Sequence, residues 1–318
     1  MKIKNLLLAF AAILLFVTCE KDEDKDSMAS KNSHRIKQIV YDGGKIDFTY
    51  ENENLVKSTQ YKKDESDNWV EDYRMEFSYS GDIATATWGG IESGAWEIDD
   101  KTEYLIQNGL IMEEHNYDYE DGTWIEDRKW TYQYSGSNIT SWQSFYYDEE
   151  GGTLEQDERG EYFYQNSKVE EYKVYEHDES GNWSEYAKET FTYDGSNLIN
   201  WINYGLDESD NSENNYKYEY QYSGDKVSQM AYFYWNTEES QWESQNIVSF
   251  NYNSNGYLSE ELLEFGDDRT YEYEEGHGNA KLILSHPMEL IYKGPTIKSA
   301  DSGSRAYVPY YQRLNNRQ

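Results

Sequence analysis

Few residues of this chain are typed and spaced for chemistry. The five histidines, His34, His115, His177, His277 and His286, lie far apart, at no metal-ligand spacing and beside no cysteine, as surface or turn histidines do. There is no Gly-x-Ser-x-Gly elbow, phosphate loop or dinucleotide fingerprint, and 62 carboxylates are too many for one pair to stand out as a glycosidase dyad. The chain is therefore read as a non-enzyme. Two residue sets remain. The loops Asp64-Glu65-Ser66-Asp67-Asn68, Asp178-Glu179-Ser180-Gly181-Asn182 and Asp207-Glu208-Ser209-Asp210-Asn211 offer oxygen ligands, so Asp64, Asp67, Asp178, Asp207 and Asp210 are weak Ca²⁺ candidates. The same residue types are what tight turns use for their own hydrogen bonds, and no other cofactor is expected. Trp69, Trp96, Trp124, Trp183 and Trp242 could stack on sugar rings of a glycan ligand, although such a column more often caps a core.

Those residues sit on a repeat. A series of turn-preceding positions, Tyr50, Tyr79, Ile106, Tyr134, Tyr164, Tyr193, Tyr222 and Tyr252, advances by 29, 27, 28, 30, 29, 29 and 30 residues. Ten residues before each of the last seven stands a second series: Trp69, Trp96, Trp124, Leu154, Trp183, Ser212 and Trp242. Two series locked at one separation mark an array of supersecondary units. Each unit reads as a turn such as Tyr134-Ser135-Gly136-Ser137-Asn138, an outgoing strand, a polar loop, and a return strand from Trp to the next Tyr. In one copy Trp124, Glu126, Arg128, Trp130, Tyr132 and Tyr134 share one parity against Ile125, Asp127, Lys129, Thr131 and Gln133. Such alternation predicts a half-buried antiparallel strand with an aromatic inner face.

The Tyr193-Asp194-Gly195 turn and the Gly181-Asn182-Trp183 loop resemble YD (Rhs-type) repeats, and more closely the repeat-bearing, uncharacterised surface lipoproteins of Bacteroidetes. Tyr271 to Ala280 resembles the segment that closes such arrays. The resemblance spans about residues 34–290 and implies an architecture, with no substrate or catalytic residue attached. The expected fold is all-β: tandem antiparallel hairpins of period about 29 forming one long meander of some sixteen to eighteen strands. A sheet that wide must curl, into a closed shell or a superhelical ribbon. Glu126, Arg128, Glu185 and Glu189 interrupt the aromatic face, which argues against a lipid-facing barrel.

The termini differ in kind. Lys2 and Lys4, an apolar run from Leu6 to Val17, and Thr18-Cys19 read as a signal peptide over 1–18. Cys19 is the only cysteine, so no intramolecular disulfide forms, and Phe16-Val17-Thr18-Cys19 resembles the lipobox at which bacterial lipoproteins are acylated. Residues 19–33 are an acidic tether in which Lys21-Asp22-Glu23 resembles the export signal of Bacteroidetes surface lipoproteins. The expected location is the outer membrane, lipid-anchored and on the extracellular face, with the periplasmic leaflet as the alternative. The array covers 34–279, and 280–318 form a basic tail, formal charge +4, that either caps an acidic sheet edge or binds a partner.

Composition narrows the partners. The formal net charge is −34, and losing Lys2 and Lys4 leaves about −36, which repels nucleic acid and anionic lipid. Low hydropathy with such charge would mean disorder, but 33 Tyr, 10 Trp and 10 Phe supply a core. The sequence thus points to a surface binding module for a glycan or protein ligand, attached to the membrane through its lipid; a structural or shielding envelope protein is the alternative.

Overall fold

The computed structural model describes residues 34–275, apart from 53, 93, 121, 149–151, 179, 207–211 and 225, together with the backbone of 296–299 and 302–305. Cys19, Lys21, Asp22, Glu23, Asp207, Asp210, His277 and His286 lie outside the described residues. The strands are β1 (His34–Tyr41), β2 (Gly44–Glu51), β3 (Asn54–Lys63), β4 (Trp69–Ser80), β5 (Ile83–Glu92), β6 (Ala95–Gln107), β7 (Leu110–Glu120), β8 (Thr123–Ser135) and β9 (Asn138–Asp148). They continue as β10 (Thr153–Gln165), β11 (Lys168–His177), β12 (Trp183–Asp194), β13 (Asn197–Leu206), β14 (Ser212–Ser223), β15 (Lys226–Asn236), β16 (Gln241–Tyr252), β17 (Leu258–Leu263) and β18 (Arg269–Glu275). A short hairpin, β19 (Thr296–Ser299) and β20 (Ser302–Arg305), follows.

Each strand pairs antiparallel with the next, and β1 pairs with β18, with His34 opposite Glu275 and Tyr41 opposite Arg269. The meander therefore closes into an 18-stranded barrel, and the superhelical ribbon is ruled out. Closure satisfies both edges, which a flat sheet of this width would leave open to association. It also removes the edge that the basic tail was expected to cover.

Two ends of every hairpin are built differently. At the tight-turn end five of the series tyrosines reach back and donate their hydroxyls to a carbonyl of the preceding outgoing strand. Tyr79 bonds Leu55 O, Tyr134 bonds Ile111 O and Tyr164 bonds Ile139 O, each at 2.7 Å; Tyr222 bonds Leu198 O at 2.9 Å and Tyr252 bonds Val227 O at 2.8 Å. The residues so clamped are buried, Leu55, Ile111 and Val227 completely. This explains why the series is tyrosine and not merely apolar: the ring lies over the lumen lining while the hydroxyl ties one strand to its neighbour. Glycine at Gly136 and Gly195 supplies the positive φ, 63° and 56°, that these turns require.

The apolar lining forms two arcs. One runs through Ile36, Ile39, Ile46, Phe48, Leu55, Met75, Phe77, Ala84 and Ala86, on β1–β5; the other runs from Ile111 on β7 to Leu258 on β17. Tyr104 and Ile106 of β6 and Tyr271 of β18 touch both arcs.

The simple alternation read from the return strand does not survive. In β8 the register steps from Asn116↔Arg128 to Tyr117↔Glu126, leaving Asp127 as the extra residue of a β-bulge. The same step falls at Asp72, Asp99, Tyr186, Asn215 and Gln245, and at Asp157–Glu158 of β10. A bulge reverses which parity faces which side. Arg128, Trp130, Tyr132 and Tyr134 thus line the lumen, whereas Trp124 and Glu126 stand on the outer wall.

Candidate functional site

The five series tryptophans are brought to one structural level, on the outer wall at the loop end. The registers Ile91↔Trp96 and Tyr73↔Gly90 set Trp96 beside Asp72, three residues along from Trp69. Tyr119↔Trp124 with Asp100↔Asp118 repeats that stagger one hairpin on. Because barrel strands tilt, a constant stagger keeps the indoles in a rim that encircles the barrel. Several rim positions are aromatic pairs across one hairpin: Tyr119–Trp124 and His177–Trp183 with ring centroids 4.8 Å apart, and Trp235–Trp242 at 5.0 Å.

The indoles are neither buried nor open. Trp69 is 41% exposed, and Trp96, Trp124, Trp183 and Trp242 are half-buried. Each carries a cation over its ring, supplied from the preceding hairpin: Lys45 at 5.9 Å from Trp69, Arg74 at 4.8 Å from Trp96, Lys101 at 5.4 Å from Trp124, Arg159 at 4.9 Å from Trp183 and Lys217 at 5.2 Å from Trp242. Most of these cations also sit over the aromatic ring of the strand between, as Lys101 does over Tyr117 at 3.8 Å and Lys217 over Phe233 at 4.5 Å. A cation held between two rings gains from both quadrupoles and still reaches a carboxylate: Lys45 pairs with Asp47 at 2.7 Å and Lys101 with Glu103 at 2.8 Å.

This belt contains residues that the sequence reading missed, although the signal is there. Lys45, Arg74, Lys101, Lys129, Arg159, Lys188 and Lys217 each stand five residues before a member of the Tyr series. In a chain so rich in carboxylates, a basic residue recurring once per repeat is a pattern. Lys129 and Lys188 are followed by Leu154 and Ser212 where a Trp would stand; Lys129 bonds Glu113 at 2.8 Å, and the same carboxylate and Glu126 hold His115 at 3.0 and 2.6 Å.

The Asp-rich loops use their carboxylates internally. Asp64 Oδ1 accepts from the backbone N–H of Ser66 at 2.8 Å and of Asn68 at 2.9 Å, and Asp178 Oδ1 accepts from Ser180 and Asn182, both at 2.8 Å. The backbone N–H of Asn68 and that of Asn182 are the main causes that hold the Asp64 and Asp178 carboxyls below their usual range. Asp67 occupies the left-handed turn position, φ 64°, that Gly181 fills at φ 81°, and its carboxylate pairs with Lys63 at 2.6 Å. These are the turn roles of Asp, Ser, Asn and Gly. Among the described residues no group of three or more His, Cys, Asp or Glu side chains is gathered as a metal site.

The lumen at the loop end is accessible and acidic. Glu97, Glu155 and Glu176 face it and are exposed, as is Tyr146 at 38%. The tyrosine end of the lumen, by contrast, holds the buried residues.

No protein-family model and no curated protein matches the chain. Among solved structures it is similar to a porin-like protein from Bacteroides uniformis (12% identity, TM-score 0.38, 75% of this chain and 98% of that one). A porin-like protein from Bacteroides vulgatus is similar at 9% identity and TM-score 0.32, over 75% and 98%, and a DUF3836 family protein from the same species at 16% and 0.26, over 28% and 91%. At these TM-scores the likeness does not reach a shared fold.

Proposed function

We propose that this is a lipid-anchored protein of the bacterial envelope that carries a closed barrel on a short acidic tether and presents its tryptophan rim as a binding face for glycan or protein partners. The observation that carries the reading is the direction of the chain. β2 runs toward the tight-turn end, so β1 begins there, and β18 ends there opposite His34. A tether entering at His34 leaves the rim facing away from the anchor. The outer wall supports a tethered barrel over an inserted one. Its middle carries Lys101, Glu103, Glu113, His115, Lys129, Lys173 and Glu185, and a basic side chain facing lipid at mid-bilayer costs about 2–4 kcal/mol. The reading is of binding and not of catalysis.

One observation favours the alternative, a structural or shielding envelope protein: the indole faces already carry Lys or Arg. The test is an array of glycans and matrix proteins probed with the chain from residue 19, Cys19→Ser, with and without Ca²⁺. Saturable binding that is lost when Trp69, Trp96, Trp124, Trp183 and Trp242 are all changed to Ala in a folded variant supports the binding face. Absence of binding across the array, with an envelope defect on deletion, selects the structural reading.

A further inference from the structure

The junction between the two arcs of the lumen lining has a composition of its own. Where β6 meets β7, three successive lumen-facing pairs are polar: Asp100↔Asp118, Thr102↔Asn116 and Tyr104↔Glu114. Thr102 is 1% exposed and donates its hydroxyl to Asn116 Oδ1 at 2.7 Å. Glu114 is 6% exposed and accepts from the Tyr132 hydroxyl at 3.2 Å. Asp100 and Asp118 face one another across the two strands, and the Trp88 indole N–H donates to Asp100 Oδ2 at 3.0 Å. Elsewhere the lining at these levels is mostly aromatic and aliphatic, as in the stack of Trp201 on Tyr218, centroids 4.9 Å apart, with single buried polar groups such as Glu189, which accepts from Asn203 at 3.3 Å where β12 meets β13.

We propose that the β6–β7 seam is a proton-operated weak point of the barrel wall: protonated carboxyls hold it shut, and their ionisation loosens it while the aromatic arc stays closed. Burial pushes Glu114 up to about 7, with the Tyr132 hydrogen bond opposing, and burial followed by the Asp118 charge pushes Asp100 upward as well. The other charged or titratable groups facing these carboxyls are Asp99 in the β6 bulge, Tyr73 from β4, Tyr104 on β6, and Arg128 and Tyr132 from β8. Arg128 lies opposite Asn116, between the two carboxyl levels, and its nearest acidic atom is on Asp157, 3.9 Å away.

The sign follows from the direction of the shifts. A carboxyl whose closed-state pKa lies above its open-state value binds its proton more tightly when the seam is closed. Its stabilising contribution is complete below the ordinary value near 4.5 and is lost as pH rises through about 7. In that window each carboxyl uncovered by opening raises the opening equilibrium about tenfold per pH unit. The seam therefore tightens on acidification and gives the wall a place to part at neutral and higher pH.

Hydrogen exchange on the chain from residue 19, Cys19→Ser, tests this at pH 5.5 and 7.5 after correction for intrinsic amide chemistry. Amides of β6 and β7 should open at least tenfold more at the higher pH, while those of β13–β15 change less than about threefold. Glu114→Gln should flatten part of the β6–β7 slope and Asp118→Asn the rest. If Asp118→Asn fails to fold, the wild-type contrast and Glu114→Gln decide alone. A flat β6–β7 response, an equal response in β13–β15, or a slope untouched by Glu114→Gln would overturn the proposal.

Discussion

Tyr134 and Trp124 lie on the same strand, ten residues apart, and live in different worlds. The Tyr134 end is where the barrel is made: its ring covers the lumen lining and its hydroxyl holds Ile111 O at 2.7 Å. The Trp124 end is where the barrel meets its surroundings, the indole half-buried on the outer wall with Lys101 5.4 Å above it. Between them stands one extra residue, Asp127. A repeat can thus devote the same residue class, large aromatics, to a core at one end and to a surface at the other, because a bulge changes the face without changing the composition.

The comparison can be broken most forcefully at tryptophans of the two kinds. Trp201 is 2% exposed and packed on Tyr218 and Phe191, so Trp201→Ala should cost about 3–5 kcal/mol in a urea titration, whereas the half-exposed Trp69→Ala should cost about 1 kcal/mol or less. Equal losses would mean that the rim is core after all. Gly160 sharpens the point next. A Cβ there would lie 2.0 Å from Trp142 Nε1 and 2.7 Å from Tyr172 Cε2, so Gly160→Ala should destabilise by about 1–3 kcal/mol through displaced core rings. Smaller still is the clamp itself. Tyr134→Phe removes one hydrogen bond to a carbonyl and should lose about 1 kcal/mol, while Tyr50→Phe, at a hydroxyl buried without a hydrogen-bond partner, should be neutral or slightly stabilising. A Tyr50→Phe loss as large as that of Tyr134→Phe would contradict the assignment of the series as hydroxyl clamps.

The hairpins, their period and the strand count were legible because they depend on local residue choice: Tyr before a Gly-containing turn, apolar residues after it, Asp-x-Ser-x-Asn at the loop. Closure was not, since it is decided by His34–Tyr41 pairing with Arg269–Glu275, residues far apart in sequence that carry no mark of partnership. The outward turn of the tryptophans was hidden for another reason. Strict alternation assigned Trp124 and Tyr134 to one face, and the register shift between them has no strong compositional signature. Aligned on the Tyr series, however, Asp72, Asp99, Asp127 and Asp157 all fall seven residues before it. Aspartate, a poor strand former, recurring inside a strand is the trace that a bulge leaves. The cations over the indoles were equally readable as a column five residues before the first seven positions of the Tyr series, once charges are counted by repeat position and not in sum.

Hydroxyl-radical footprinting of the native chain, read tryptophan by tryptophan, tests the two-ended hairpin most directly. Trp69, Trp124, Trp183 and Trp242 should oxidise several-fold faster than Trp142 and Trp201, which are 3% and 2% exposed. Uniformly slow oxidation of all six would place the rim indoles inside the barrel with the tyrosines and contradict the account.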